Sequence, residues 1–198
     1  RPDGYHDLVT CFYPVPWTDI LEIIQANRFS FTSTGNSIPG PAEANLCIKA
    51  YELLKRDFDL GPVKIHLHKI IPSGAGLGGG SADAAYTIRM LNDIFRLHLS
   101  QKKLHDYAAA LGSDCAFFTQ DKPMFGEGRG EILTGIEVSL DSKFLVLVKP
   151  DIHVSTAEAF AGIRPQQPEH SLHELLRRPI SEWRLSLKND FEESVFRK

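Results

Sequence analysis

Apolar positions in this chain change period several times, and the changes divide it into elements. Leu8, Phe12 and Val15 stand among polar residues after the turn pair Asp3-Gly4. Residues 19–25 and 28–32 then predict two short strands around a turn at Ala26-Asn27. Gly35, Asn36, Pro39, Gly40 and Pro41 make residues 33–41 a loop. Asn45 stands where a helix N-cap belongs, and Leu46, Ala50, Leu53 and Leu54 recur at helical spacing, so the pattern predicts a helix over 45–56. Residues 63–68 (Val-Lys-Ile-His-Leu-His) alternate apolar and polar, as a half-buried strand does, and run through Lys69 into Pro72 and a cluster of glycines.

Beyond the glycines the period returns to helical. Ala84, Ile88, Leu91 and Phe95 share one face of a helix predicted from Ser81. A second helix starts at Ser100, carries Leu104, Tyr107, Ala108 and Leu111, and stops at Gly112. Residues 125–135, with Gly126, Gly128 and Gly130, form a loop or hairpin. Residues 144–148 are continuously apolar, which suits a central strand buried on both faces. Pro150, Pro165, Pro168 and Pro179 and the polar stretch 166–170 interrupt the remainder. A domain boundary is expected near residue 136, giving units 1–135 and 136–198. Helices and strands mix without strict alternation, so the fold class is α+β rather than a doubly wound sheet.

Composition narrows the function classes. With 42% hydrophobic and 24% charged residues the chain is that of an ordinary globular protein. A net charge of −3 is the wrong sign for gripping nucleic acid, although a small anion needs only a local positive pocket. No apolar run approaches the roughly 20 residues of a membrane helix. Cys11, Cys47 and Cys115 are too few and too scattered for a disulfide framework, so a reducing, cytoplasmic setting is expected. The chain opens on Arg1 without a methionine and closes on Phe196-Arg197-Lys198 soon after a patterned stretch; both true ends are expected to lie beyond it.

The candidate chemistry begins at residues 72–85. Five glycines fall within seven residues, 74–80, between a strand pattern and a helix pattern. Glycine permits positive φ and removes the Cβ that would hold a phosphate away. Successive amides can then converge on an anion, at the positive end of the following helix. Ser81 adds a hydroxyl suited to a phosphate oxygen or a magnesium-bound water. The pattern lacks the Gly-Lys-Ser/Thr of a P-loop and the distant acidic residue of a dinucleotide site. A flexible turn is the plainer alternative, but such turns seldom lead straight into an alanine-rich helix start.

Asp114, just past the end of a predicted helix, can take a proton from an alcohol if it is held near one. Alone, the same residue would suit the N-cap of a following short helix. His66 and His68 lie two apart on one strand face without a third metal ligand, so a solvated polar face is expected there. Glu127, Arg129 and Glu131 alternate as surface charges, with Arg129 able to reach a phosphate.

Taken together, the glycine motif and Asp114 make the chain resemble the GHMP kinases. Arg1-Pro-Asp-Gly-Tyr-His6, Gly126-Glu-Gly-Arg-Gly-Glu-Ile-Leu133 and Asn189-Asp-Phe-Glu192 bring it nearest to the members that phosphorylate a cytidine-diphosphate-bearing alcohol in non-mevalonate isoprenoid synthesis. The resemblance implies a two-domain α+β kinase: an N-terminal ATP-binding domain followed by a C-terminal α+β domain that this chain only begins. It implies that Pro72, Ser73, Gly74, Ala75, Gly76, Leu77, Gly78, Gly79, Gly80, Ser81 and Ala82 wrap the ATP phosphates, with Asn45 and Lys69 near the adenosine end. Asp114 would deprotonate the acceptor's 2-hydroxyl. Tyr5 would stack on a cytosine, His6 would hydrogen-bond it, and Phe160 would cover its other face.

The implied cofactors are ATP and the Mg2+ bound with it, without a metal cage from the protein; the implied partner is the small-molecule acceptor. The family's first-strand lysine beside the aspartate and its late glycine-rich motif have no counterpart in these residues, and Cys115-Ala116 replaces its usual Val-Pro. A GHMP kinase with another acceptor, such as a mevalonate-type enzyme, and a non-catalytic nucleotide-binding protein are the competing readings.

Overall fold

The computed structural model describes residues 1–2, 4–150, 152, 154–166 and 168–196, together with the backbone but not the side chain of Thr156. Asp3 of the predicted turn pair, Gln167 of the polar stretch, and Arg197 and Lys198 lie outside the described residues. The chain divides into two units, Arg1–Ile136 and Glu137–Lys198.

The first unit contains β1 (Thr10–Phe12), β2 (Ile20–Gln25), β3 (Ser30–Gly35), α1 (Leu46–Asp57), β4 (Val63–Lys69), α2 (Gly79–Ile94), α3 (Gln101–Leu111), β5 (Met124–Glu127) and β6 (Ile132–Gly135). One sheet has the order β2-β4-β3 and the other β1-β5-β6. The two strands predicted around Ala26-Asn27 both form, but they do not pair. β4 lies between them, antiparallel to β2 with Ile20 opposite His68, and parallel to β3 with Ser30 opposite Lys64. A parallel pair needs a crossover, and α1 supplies it.

β4 takes the centre because its alternation is the cleanest in the chain. Val63, Ile65 and Leu67 are buried on one face, and Lys64, His66 and His68 occupy the other. Cys47, Ala50, Tyr51 and Leu54 of α1 and Ala84, Ile88 and Leu91 of α2 cover the apolar face and complete the core. At roughly 25 cal/mol for each Å² of apolar surface, this two-helix layer holds the sheet rigid beneath the glycine turn.

Asn45 caps α1 by accepting the Cys47 N–H at 2.8 Å, and Ser100 caps α3 by accepting that of Lys103 at 3.3 Å. The glycine-rich segment 125–135 forms the hairpin β5-β6.

Among its described residues the second unit holds four short helices: α4 (Thr156–Ala161), α5 (Leu172–Leu176), α6 (Ile180–Ser186) and α7 (Glu192–Val195). Ser155 with Glu158, and Ser171 with Glu174, form reciprocal capping boxes at the starts of α4 and α5. The buried strand predicted at 144–148 is not there. These residues carry no strand, and Phe144 is 99% exposed and Val146 83%. A strand buried on both faces needs pairing neighbours, and the second unit has no other strand among the described residues. Also among them, no helix is long and apolar enough to cross a membrane.

Candidate active site

The glycine turn runs from the end of β4 to the start of α2. Gly74, Gly76 and Gly78 all take positive φ, at 71°, 73° and 66°, alternating with Ala75 and Leu77. Gly78 is the N-cap of α2 and has no side chain to satisfy the first helical amides. Among the described residues no acceptor takes the N–H groups of 74–78. A β-carbon placed on Gly74, Gly76 or Gly80 would meet nothing within 4 Å. The result is an open concavity lined by unpaired amides at a helix N-terminus, and it fits a polyphosphate.

Beneath the turn lies a charged cluster. The Lys69 ammonium is 4% exposed and bonds both to Asp19 Oδ2 and, at 2.9 Å, to Asp83 Oδ2. The other Asp19 oxygen accepts the N–H groups of Ile70 and Ile71 at 2.6 and 2.8 Å. Desolvation works against the Asp19 carboxylate, but Lys69 and the two amides outweigh it and hold its pKa below the ordinary value. Desolvation likewise opposes the Lys69 charge, and its two carboxylates outweigh that and raise its pKa. For Asp83 burial wins against Lys69 and pushes the carboxyl up to about 6. The Lys69 side chain is thus enclosed by two carboxylates. Asn45 uses its Oδ1 to cap α1, and its Nδ2 makes no hydrogen bond among the described residues.

Asp114 lies on the 3-10 segment Ser113–Thr119, which follows α3. It is exposed, and its side chain has no hydrogen bond or ion pair among the described residues. Desolvation by the surrounding protein nonetheless raises its pKa above the usual aspartate value. The segment meets the glycine turn at two places. Ser81, in the first turn of α2, lies beside the Cys115 thiol, whose pKa burial has pushed up. A β-carbon on Gly78 would come within 2.9 Å of the Phe118 ring. The predicted base and the predicted phosphate turn are therefore neighbours.

The same segment reaches toward the N-terminal residues. Phe117 packs on Phe12 of β1, with ring centroids 5.2 Å apart. The Leu8 N–H bonds Gly128 O at 2.8 Å, tying the chain around Tyr5 and His6 to the β5-β6 hairpin. Tyr5 is 55% exposed, and the Arg129 guanidinium lies 4.8 Å from its ring centroid. Glu131 accepts the Arg129 N–H at 2.6 Å. Phe160 belongs to the second unit, where its ring meets Phe191 edge-on at 5.0 Å. Phe191 is part of the Asn-Asp-Phe-Glu stretch, and Asn189 Oδ1 accepts its N–H at 3.0 Å.

His66 and His68 bond to the hydroxyls of Thr32 and Thr34 across the sheet. Among the described residues no group of three or more His, Cys, Asp or Glu could hold a metal ion.

Known proteins resemble this chain throughout its length. Residues 45–122 match the model of the GHMP kinases N terminal domain. The chain is 55% identical to the 4-diphosphocytidyl-2-C-methyl-D-erythritol kinase of Bacteroides fragilis, covering 99% of this chain and 73% of that protein. It is 50% identical to the Cytophaga hutchinsonii protein of the same name, over all of this chain and 74% of its relative. The chain belongs to this family of GHMP kinases. A crystal structure of 4-(cytidine 5'-diphospho)-2C-methyl-D-erythritol kinase superposes over the whole chain and 71% of its own, at a TM-score of 0.74 and 28% identity. A homoserine kinase from C. hutchinsonii, at 16% identity and a TM-score of 0.53, shares the fold. The architecture is thus the α+β GHMP kinase fold.

Asp19 and Asp83 escaped the sequence reading. Asp83 sits inside the glycine motif and could have been noticed as an acidic residue on a predicted buried helix face. Asp19 carries no local signal, because it lies 50 residues from the lysine it pairs with.

Proposed function

We propose that this protein transfers the γ-phosphoryl group of ATP to the 2-hydroxyl of 4-diphosphocytidyl-2-C-methyl-D-erythritol, a step toward isoprenoid precursors. One observation carries the reading: the 3-10 segment bearing Asp114 packs against the unpaired amides of the glycine turn, through Phe118 on Gly78 and Cys115 on Ser81. Residues 72–82 supply the amide cradle for the triphosphate, with the Ser81 hydroxyl at its helical end. The Asn45 amide is suited to the adenosine end. Asp114 accepts the proton of the attacking hydroxyl, and no hydrogen bond from the described residues competes for its carboxylate.

Tyr5 offers an exposed face to the cytosine, His6 its hydrogen bonds, and Phe160 the second aromatic surface. Mg2+ enters on the ATP and neutralises phosphate charge; no ligand set from the chain is assigned to it. In-line transfer needs little covalent chemistry from the protein, so positioning and charge neutralisation supply most of the acceleration. The three cysteines are unpaired, in keeping with a cytoplasmic enzyme.

The test is a panel of alcohols offered with γ-labelled ATP. Label should pass to the cytidylated methylerythritol and not to mevalonate or homoserine. Preferential labelling of a cytidine-free acceptor would overturn the assignment.

A further inference from the structure

Among the described residues, the Asp19–Lys69–Asp83 cluster is a buried charged group that the proposed chemistry leaves unused. Its parts belong to three elements. Asp19 directly precedes β2, Lys69 ends β4, and Asp83 lies in the second turn of α2. The phosphate turn spans the gap between the last two. Asp19 additionally holds the amides of Ile70 and Ile71, the last residues before Pro72. A β-carbon on Gly79 would sit 3.0 Å from Lys69 Nζ, so the ammonium lies directly under the first residue of α2.

A surface ion pair at such a place would contribute little. This one is buried, with side chains 4% to 8% exposed, and every partner belongs to an end of the turn or to its support. Buried ion pairs are a poor source of net stability, because desolvation offsets the attraction. What they can supply is a fixed distance. Two carboxylates that meet on one ammonium allow one separation of their backbones.

We propose that Lys69 and Asp83 are positioning residues that clamp the end of β4 to the start of α2 and so set the curvature of the phosphate turn between them. Their side chains would act on the turn through each other and not by gripping the nucleotide. Cutting the clamp should leave the fold and the acceptor site in place while the amides of 74–80 lose their convergence. The proposal rests on the reading that this turn binds the ATP triphosphate.

Asp83→Leu tests it, since that change removes the link to α2 but leaves Lys69 paired with Asp19. The KM for ATP should rise about ten- to hundredfold, the scale on which ångström displacements near a reacting group are felt. The acceptor KM, and kcat at saturating ATP, should stay within about twofold. Asp83→Asn keeps an oxygen for the ammonium and should retain an ATP KM close to that of the wild type. If Asp83→Leu does not fold, Asp83→Ser, too short to reach Lys69, takes its place.

An ATP KM unchanged in Asp83→Leu, with only the melting temperature lowered, would make the cluster merely structural and overturn the clamp. An equal rise in the Asn and Leu variants would overturn it too, because charge and not the link would then be responsible. Gly78→Val separates this from failure of the underlying reading. If that variant also binds ATP normally, the turn is not the phosphate site, and the clamp falls with it. A Gly78 defect without an Asp83 defect sinks the clamp alone.

Discussion

The Phe118 ring fills the space that a β-carbon on Gly78 would need, with Cε2 2.9 Å from that position. The contact locks the glycine turn to the segment that carries Asp114. Gly78 is constrained twice, by the ring and by its φ of 66°.

Gly78→Ala should therefore damage ATP use more than its single methyl suggests. Left-handed strain of about 1–2 kcal/mol adds to displacement of the ring, so the KM for ATP should rise about tenfold or more. Steady-state kinetics with varied ATP at saturating acceptor checks this.

Asp114→Asn should leave nucleotide binding nearly intact and cut turnover by about a hundredfold or more. Nucleotide titration beside single-turnover rates tells the two apart. In the wild type, activity should be present above the Asp114 pKa and lost as pH falls through it. Because desolvation raises that pKa, the acid limb of kcat should lie above the ordinary value of 3.8 and be absent from the residual activity of the Asn variant.

Tyr5→Ala should raise the acceptor KM about ten- to hundredfold, in line with about 1–3 kcal/mol for a stacked base, while the ATP KM holds. Tyr5→Phe should keep most of the affinity. A loss of ATP binding in Tyr5→Ala would count against the assignment.

Asp83 makes a separate prediction about stability. Its folded-state pKa is about 6 against an ordinary 3.8. The folded protein thus holds this proton more tightly than the unfolded chain, so the stability it contributes is fullest below the ordinary value and is lost as pH rises through about 6. The melting temperature of the wild type, taken relative to Asp83→Asn, should be higher near about pH 5 than near about pH 7.5. Calorimetry at both pH values decides it.

Much of this site could be read from residue order because its signals are local. Asn45 and Ser100 announce helix starts through hydroxyl and amide caps that act over two or three residues. The glycines of 74–80 announce a turn of positive φ leading into a helix, because their backbone freedom needs no distant partner. Order fails where a partner is remote. Asp19 and Lys69 become a pair only when β2 and β4 meet. The strands at 20–25 and 30–35 look like hairpin arms until β4 separates them. The run 144–148 has the composition of a buried strand, but composition cannot supply the neighbours such a strand requires.

The insertion of β4 between β2 and β3 has a consequence for assembly on the ribosome. Neither outer strand can pair until residues 63–69 have left the exit tunnel, and β3 must also wait for the crossover helix to form. At about 5–20 residues per second, the earlier strands spend some seconds without a ladder partner. During that interval Ile20, Ile23 and Phe31 are apolar surface that nascent-chain chaperones can bind.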